Sequence, residues 1–335
     1  MEPPMRPAII PRAQSSQDED AVKGTNDDAA ISKLSAVNSG YMQDEFVSCF
    51  VKRSLKRAPI INRGSYVRYT VLNNLIRQFL SLPVAQEKQI VSLGAGSDTR
   101  YFSLKKEGMQ PKKYFEIDFM EITSRKTATI KKKKAMTDLI GAHQLAAGGT
   151  ELHSNDYCII YGDLRHFEDT IVPKLVAQGF DKSLPTLFIS ECVMIYMPPK
   201  DADKIIQWIP AHMSTAAFIT YEQILPNDSF GRTMIENLKM RNIELPGIYA
   251  YPTLESQKQR YLSAEWHRAE SMDVNQIFDS CLSDAEHARI SRLEIFDELE
   301  EWKLLSSHYC VSWAIKAPDG PRFDDFGLKP ASIPS

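Results

Sequence analysis

The chain has 335 residues, 43% hydrophobic and 25% charged, a composition that excludes wholesale disorder. Its 40 Lys and Arg against 43 Asp and Glu give a net charge of −3, so it lacks the basic field of a sequence-independent nucleic-acid binder. Cys49, Cys158, Cys192, Cys281 and Cys310 are scattered and form no C-x-x-C pair, and no apolar run approaches the ~18 residues of a membrane span. These features point to a soluble intracellular protein with free thiols, no membrane partner and no disulfide framework.

Residues 1–25 are rich in Pro, Ser and acidic groups and are expected to form a disordered tail. A short helix is predicted over Asp28–Ser39, ended by Gly40, and a longer one over Tyr66–Leu80, where Val67, Val71, Leu72, Leu75, Ile76, Phe79 and Leu80 fall at the three-and-four spacing of an amphipathic helix. Apolar runs at Gln89–Leu93, Tyr114–Asp118, Tyr157–Tyr161, Thr186–Ser190 and Ala216–Tyr221 then read as strands. Helical stretches near Thr99–Lys106, Met120–Lys132, Phe167–Gln178 and Lys200–Ile209 separate them. Alternation of this kind predicts a parallel sheet with helices on both faces. Asn227–Leu238, Thr253–Leu262 and Met272–Phe278 read as helices without strands between them, a helical insertion at about 223–288. Strands at Ile290–Phe296 and His308–Ile315, with a helix at Asp297–Leu305 between them, close the fold. The expected division is N-terminal helices over 26–85, a catalytic domain over 86–316 and a flexible tail over 317–335.

Ligands of open parallel sheets bind at the carboxyl ends of the strands, so the residues there are the candidates. The first strand runs into Gly94-Ala95-Gly96-Ser97-Asp98-Thr99; such a turn lets backbone approach a ligand, or is simply a tight strand-to-helix connection. The second ends at Asp118, 24 positions after Gly94, near the ~20 expected for a carboxylate that receives ribose hydroxyls. The third ends at Asp163-Leu164, either an acceptor for an exocyclic amine or a helix N-cap. The fourth ends at Glu191, an acid beside an apolar run that needs a partner, such as a ligand ammonium. Thr99 stands where a dinucleotide fingerprint has its third glycine, which disfavours pyrophosphate binding. S-adenosylmethionine, with adenine, ribose and an amino-acid end, fits the set better.

Asn62-Arg63-Gly64 with Arg68, the Val91–Thr99 block, Phe115-Glu116-Ile117-Asp118-Phe119, Gly162-Asp163-Leu164 and the Ser190–Met197 block together resemble the leucine carboxyl methyltransferases. The likeness continues through Tyr221-Glu222, Asp228–Gly231, Leu254–Lys258, Phe296–Glu300 and His308-Tyr309, and covers roughly residues 25–316. It implies a class I S-adenosylmethionine-dependent methyltransferase fold, an α/β architecture with a mostly parallel seven-stranded sheet and a lid made by the N-terminal helices and the insertion. It further implies S-adenosylmethionine as cofactor and, as partner and substrate, the catalytic subunit of protein phosphatase 2A, whose C-terminal leucine carboxylate is methylated. The donor site then falls on Lys33, Arg68, Gly94, Asp118, Asp163, Leu164 and Glu191, with Gly96 of the same turn, and Tyr196, Arg68 and Lys33 lie near the reacting groups. A monomeric, cytoplasmic protein, with the nucleus as a second compartment, is expected. The acid that often precedes Leu-Gly-x-Gly in methyltransferases is Ser92 here, so no donor contact is expected from position 92.

A C-terminal carboxylate, with a reference pKa of about 3.3–3.7, is already ionised at neutral pH, so no general base is needed. In-line attack on a sulfonium methyl calls instead for water exclusion and positioned cations. The seven histidines lack metal-ligand spacing and no metal site is expected. Lys131–Lys134 read as a solvated helix end, and Trp208, Trp266, Trp302 and Trp313 as core. Two alternatives remain open: the same fold acting on a small metabolite or a modified tRNA base, and a non-catalytic phosphatase-binding scaffold.

Overall fold

The computed structural model describes residues 14–84, 86–317 and 323–331, with side chains from residue 20 onward. Nine strands form one sheet: β1 Gln89–Leu93, β2 Lys113–Asp118, β3 His143–Ala146, β4 Glu151–Ser154, β5 Tyr157–Tyr161, β6 Thr186–Glu191, β7 Ala216–Gln223, β8 Arg268–Asp273 and β9 Tyr309–Lys316. Their order is β3-β4-β5-β2-β1-β6-β7-β9-β8. The five strands read from apolar runs are the parallel centre, β5-β2-β1-β6-β7. Buried on both faces, they show near-continuous hydrophobic stretches rather than alternation. β9 runs antiparallel to β7 and pairs with β8, completing the expected seven strands. The antiparallel β3–β4 hairpin is an unexpected addition beside β5.

Strand order reverses at β1, whose neighbours are β2 and β6, so the tips of β1, β2 and β6 define the crevice. Two helices cover it: α1, Gln14–Asn38, and α2, Pro59–Ser81. Proline at the start of α2 costs no intrahelical hydrogen bond, and of the stripe read from spacing the helix buries Val67, Val71, Leu72, Leu75, Ile76 and Phe79, with Leu80 half-buried.

Four expectations are corrected. The tail assigned to residues 1–25 holds a helix from Gln14; 1–13 lie outside the described residues. Composition misled because α1 is held by polar ties to other elements: Lys23 Nζ to Glu121 at 2.8 Å, Asn26 to the glycine turn, and Asp27 to Arg125 at 3.1 Å. In the supposed flexible tail over 317–335, Phe323 and Phe326 are buried in the core, and Arg268 donates to the carbonyls of both at 2.6 and 2.7 Å. Residues 318–322 and 332–335 lie outside the described set. The strand expected at Ile290–Phe296 is a helix end and a turn. The partner of β9 is instead β8, a polar edge strand inside the span read as an all-helical insertion. The helix expected at Met272–Phe278 accordingly starts later, at Val274–Cys281.

Candidate active site

All nine sequence-derived candidates line one cavity of about 670 Å³ at the reversal point: Lys33, Arg68, Gly94, Gly96, Asp118, Asp163, Leu164, Glu191 and Tyr196. They come from α1, α2 and the ends of β1, β2, β5 and β6, so the fold and not the sequence separation brings them together.

Gly94 and Gly96 have φ of +63° and +53°, a region glycine enters without steric cost. A Cβ on Gly94 would meet a methyl of Val193 at 2.5 Å, and one on Gly96 would meet Asn26 Oδ1 at 2.5 Å. Both glycines are therefore demanded by the close approach of protein segments, and the turn alone does not speak for a ligand. Its geometry does shape the next residue of the site. The Gly96 N–H donates to Asp118 Oδ2 at 2.7 Å and the Phe119 N–H to Oδ1 at 2.7 Å. Each carboxylate oxygen keeps acceptor capacity toward the cavity. Burial nevertheless raises the Asp118 pKa above its ordinary value.

Asp163 begins a short turn and accepts from the Arg165 N–H at 2.9 Å, the N-cap geometry, while the Arg165 guanidinium folds back onto it. Burial works to raise its pKa, but the hydrogen bonds and charge of Arg165 hold it below the usual carboxylate range. The capping alternative is thus realised, with the residue still on the cavity wall.

Glu191 is not the lone acid that the sequence suggested. Arg68 Nε donates to Oε1 at 2.5 Å and Arg100 Nη1 to Oε2 at 2.6 Å. Burial pushes its carboxyl up, but Arg100 and then Arg68 overcome it and hold the pKa at about 2. Arg68 lies with its guanidinium 5.0 Å from the Tyr221 ring and spends only Nε on a hydrogen bond among the described residues. Its terminal nitrogens remain for an anion in the cavity. Lys33 donates to Thr99 Oγ1 at 2.8 Å and pairs with Asp44 at 2.6 Å, so one of its three N–H donors is left.

Tyr196 ends a short helical turn that is pinned at Ile195: the Ile195 N–H donates to Glu222 Oε1 at 2.9 Å, and the Gly247 N–H to Ile195 O at 3.0 Å. Burial drives the Tyr196 pKa up, and its hydroxyl stays protonated at neutral pH. The insertion contributes Leu238, Arg241, Ile243 and Glu244 to the cavity wall, and Arg241 reaches Asp28 of α1, so the two expected lid elements touch.

Sequence reasoning missed Asn26, Arg100, Tyr221 and Tyr309, all on this cavity. Arg100 directly follows the quoted glycine block, and Tyr309 and Tyr221 lay in quoted blocks without an assigned role; Asn26 sat beside the supposed tail. Lys131–Lys134 are exposed, as expected of a solvated helix end. Among the described residues no helix is long and apolar enough to cross a membrane, and no group of three His, Cys, Asp or Glu could hold a metal.

The leucine carboxyl methyltransferase family model matches residues 9–210. A leucine carboxyl methyltransferase 1 homolog of Arabidopsis thaliana is 43% identical over 321 residues, covering 94% of this chain and 95% of that protein. Leucine carboxyl methyltransferase 1 of Bos taurus is 41% identical over 304 residues, covering 89% and 91%. The tRNA wybutosine-synthesizing protein 4 of Homo sapiens is 36% identical over 298 residues, covering 87% of this chain but 43% of that longer protein. A solved DUF574 family protein from Streptomyces avermitilis superposes with a TM-score of 0.50 at 10% identity, covering 78% of this chain and 86% of that one; it speaks for the fold alone. The fold is that of the class I S-adenosylmethionine-dependent methyltransferases, and S-adenosylmethionine is the cofactor. A cavity at the strand reversal, a family match over most of the chain and relatives aligned nearly end to end lead to one conclusion: the chain belongs to the leucine carboxyl methyltransferase family, enzymes of S-adenosylmethionine-dependent carboxyl methylation.

Proposed function

We propose that this chain methylates the α-carboxylate of the C-terminal leucine of the protein phosphatase 2A catalytic subunit, by in-line displacement and without a general base. The observation that carries the reading is the convergence of Asp118, Asp163 and Glu191 with Arg68 and Tyr196 on one cavity. The residues present fit S-adenosylmethionine. Asp118 is held by two backbone N–H groups with acceptor capacity left for ribose hydroxyls. Asp163 and Leu164 line the same cavity and are assigned to the adenine edge, and Glu191, kept charged, is assigned to the ammonium. When bound, S-adenosylmethionine supplies an electrophilic methyl group on a sulfonium.

The chain's own residues do the rest. Arg68, anchored through Nε, offers its terminal nitrogens to a carboxylate, a match to guanidinium fork geometry. Lys33 adds positive charge on the α1 side of the cavity. The Tyr196 hydroxyl, protonated at neutral pH, donates to the attacking carboxylate and fixes its orientation. Closure by α1 and the insertion excludes water, which strengthens these contacts. An anion that attacks needs no proton removed, so the proposed step requires no general base.

A second reading, a modified tRNA base as acceptor, draws support from the 36% identity to the wybutosine-synthesizing protein. Labelled donor offered with phosphatase catalytic subunit and bulk tRNA as competing acceptors separates the two. Label on the phosphatase is expected; label on tRNA alone would overturn the proposal, and label on neither would favour a scaffold.

A further inference from the structure

We infer that Arg100 is a positioning residue for the donor site: it clamps Glu191 from the side opposite Arg68, so that this carboxylate stays charged and oriented and the Arg68 terminal nitrogens are left for the cavity. The inference rests on the donor reading given above.

The geometry is specific. One guanidinium ties three elements: Nη1 donates to Asp98 Oδ2 at 2.9 Å and to Glu191 Oε2 at 2.6 Å, and Nε donates to Asn73 Oδ1 of α2 at 2.9 Å. The side chain is only 5% accessible. The tip of β6, the turn after β1 and the helix that carries Arg68 are thus locked in one register. A lysine has the charge but not the fork, and its single nitrogen cannot reproduce this set. Oε1 is taken by Arg68 and Oε2 by Arg100, so rotation of the carboxylate would break both contacts.

Other groups around Glu191 cannot replace this cation. Asp98, Tyr114 of β2 and Tyr221 of β7 carry no positive charge in any protonation state, and neither does Cys192 beside it. With Arg100 removed, burial is opposed by Arg68 alone, and the Glu191 pKa rises from about 2 toward or past its ordinary value of 4.5. A folded-state pKa raised in this way costs stability where the group is ionised and relieves that cost as pH falls.

The test uses the full chain with Arg100→Leu and Arg100→Lys. Thermal unfolding without ligand is expected to show a Tm gap between wild type and Arg100→Leu that is full at about pH 7 and narrows from about pH 6 to about pH 4, as pH falls through the variant's raised Glu191 pKa toward the wild-type value of about 2, whereas a mere packing role would leave the gap constant. Calorimetry with S-adenosylmethionine is expected to show affinity weakened about tenfold or more in both variants, more so at the lower pH. A pH-independent Tm gap, or donor affinity within about twofold of wild type in both variants, overturns the inference. Should Arg100→Leu not fold, Arg100→Gln, which removes the charge but keeps hydrogen-bonding groups, carries both readouts. Wild-type protein that fails to bind the donor would defeat the donor reading instead, while the ligand-free Tm gap still judges the Arg100–Glu191 clamp.

Discussion

Replacing Asp118 with alanine tests the proposed donor site at its best-defined carboxylate. Each Asp118 oxygen already accepts one backbone N–H at 2.7 Å, and each retains one acceptor position for a ribose hydroxyl. The substitution therefore removes two charge-assisted hydrogen bonds to the donor, each about 1.5–3 kcal/mol and not fully additive. A net loss of about 3 kcal/mol weakens binding roughly 150-fold. It also leaves the Gly96 and Phe119 N–H groups without their acceptor, at a cost to stability of about 1–2 kcal/mol, a fall in Tm of a few degrees. The assay is calorimetric titration with S-adenosylmethionine, beside thermal unfolding to verify folding. Because burial raises the Asp118 pKa, wild-type donor affinity should fall as acid protonates this carboxyl, beginning above the usual aspartate range, and Asp118→Ala should lose that dependence. A folded Asp118→Ala protein that binds within about threefold of wild type would refute the reasoning.

Gly94→Ala places a Cβ 2.5 Å from a stiff valine methyl at φ +63°, so it should cost about 2–4 kcal/mol in stability, read by urea unfolding; a loss below about 1 kcal/mol would contradict it. Tyr196→Phe should lower turnover by about tenfold or more with donor affinity within about twofold, measured by steady-state kinetics and calorimetry; an unchanged rate would make Tyr196 a packing residue. Lys126→Met breaks an ion pair with Glu116 at 2.5 Å in which both side chains are almost fully buried, and should cost about 3–5 kcal/mol. Burial already raises Glu116 to a pKa of about 7 with Lys126 beside it, and losing Lys126 raises it further, so the penalty should be larger at about pH 9 than at about pH 7 and change little below; a loss of Tm that is equal at the two would contradict this.

The parallel centre of the sheet was legible because buried strands must be apolar on both faces, and the shared cavity of the candidate carboxylates because the tips of adjacent parallel strands meet at the point of reversal. β8 was not, since Arg268–Asp273 is an edge strand with only Ala269 buried and no apolar run to mark it. Phe323 and Phe326 were hidden among Asp, Gly and Pro, where composition outweighed two aromatic anchors. Arg100 was invisible for a different reason. An arginine at a helix start looks like a surface residue until its partner, 91 positions away, is known to share the crevice. The same long-range pairing turned Glu191 from an unpartnered acid into the centre of a two-arginine clamp, a correction that only tertiary structure could supply.

Labelled methyl donor should be supplied to this protein with phosphatase 2A catalytic subunit, either intact or lacking its last leucine. Label released by mild base, found on the intact subunit and absent from the shortened one, is the predicted result. Equal labelling of both subunits, or base-stable label, would contradict a C-terminal leucine ester as the product.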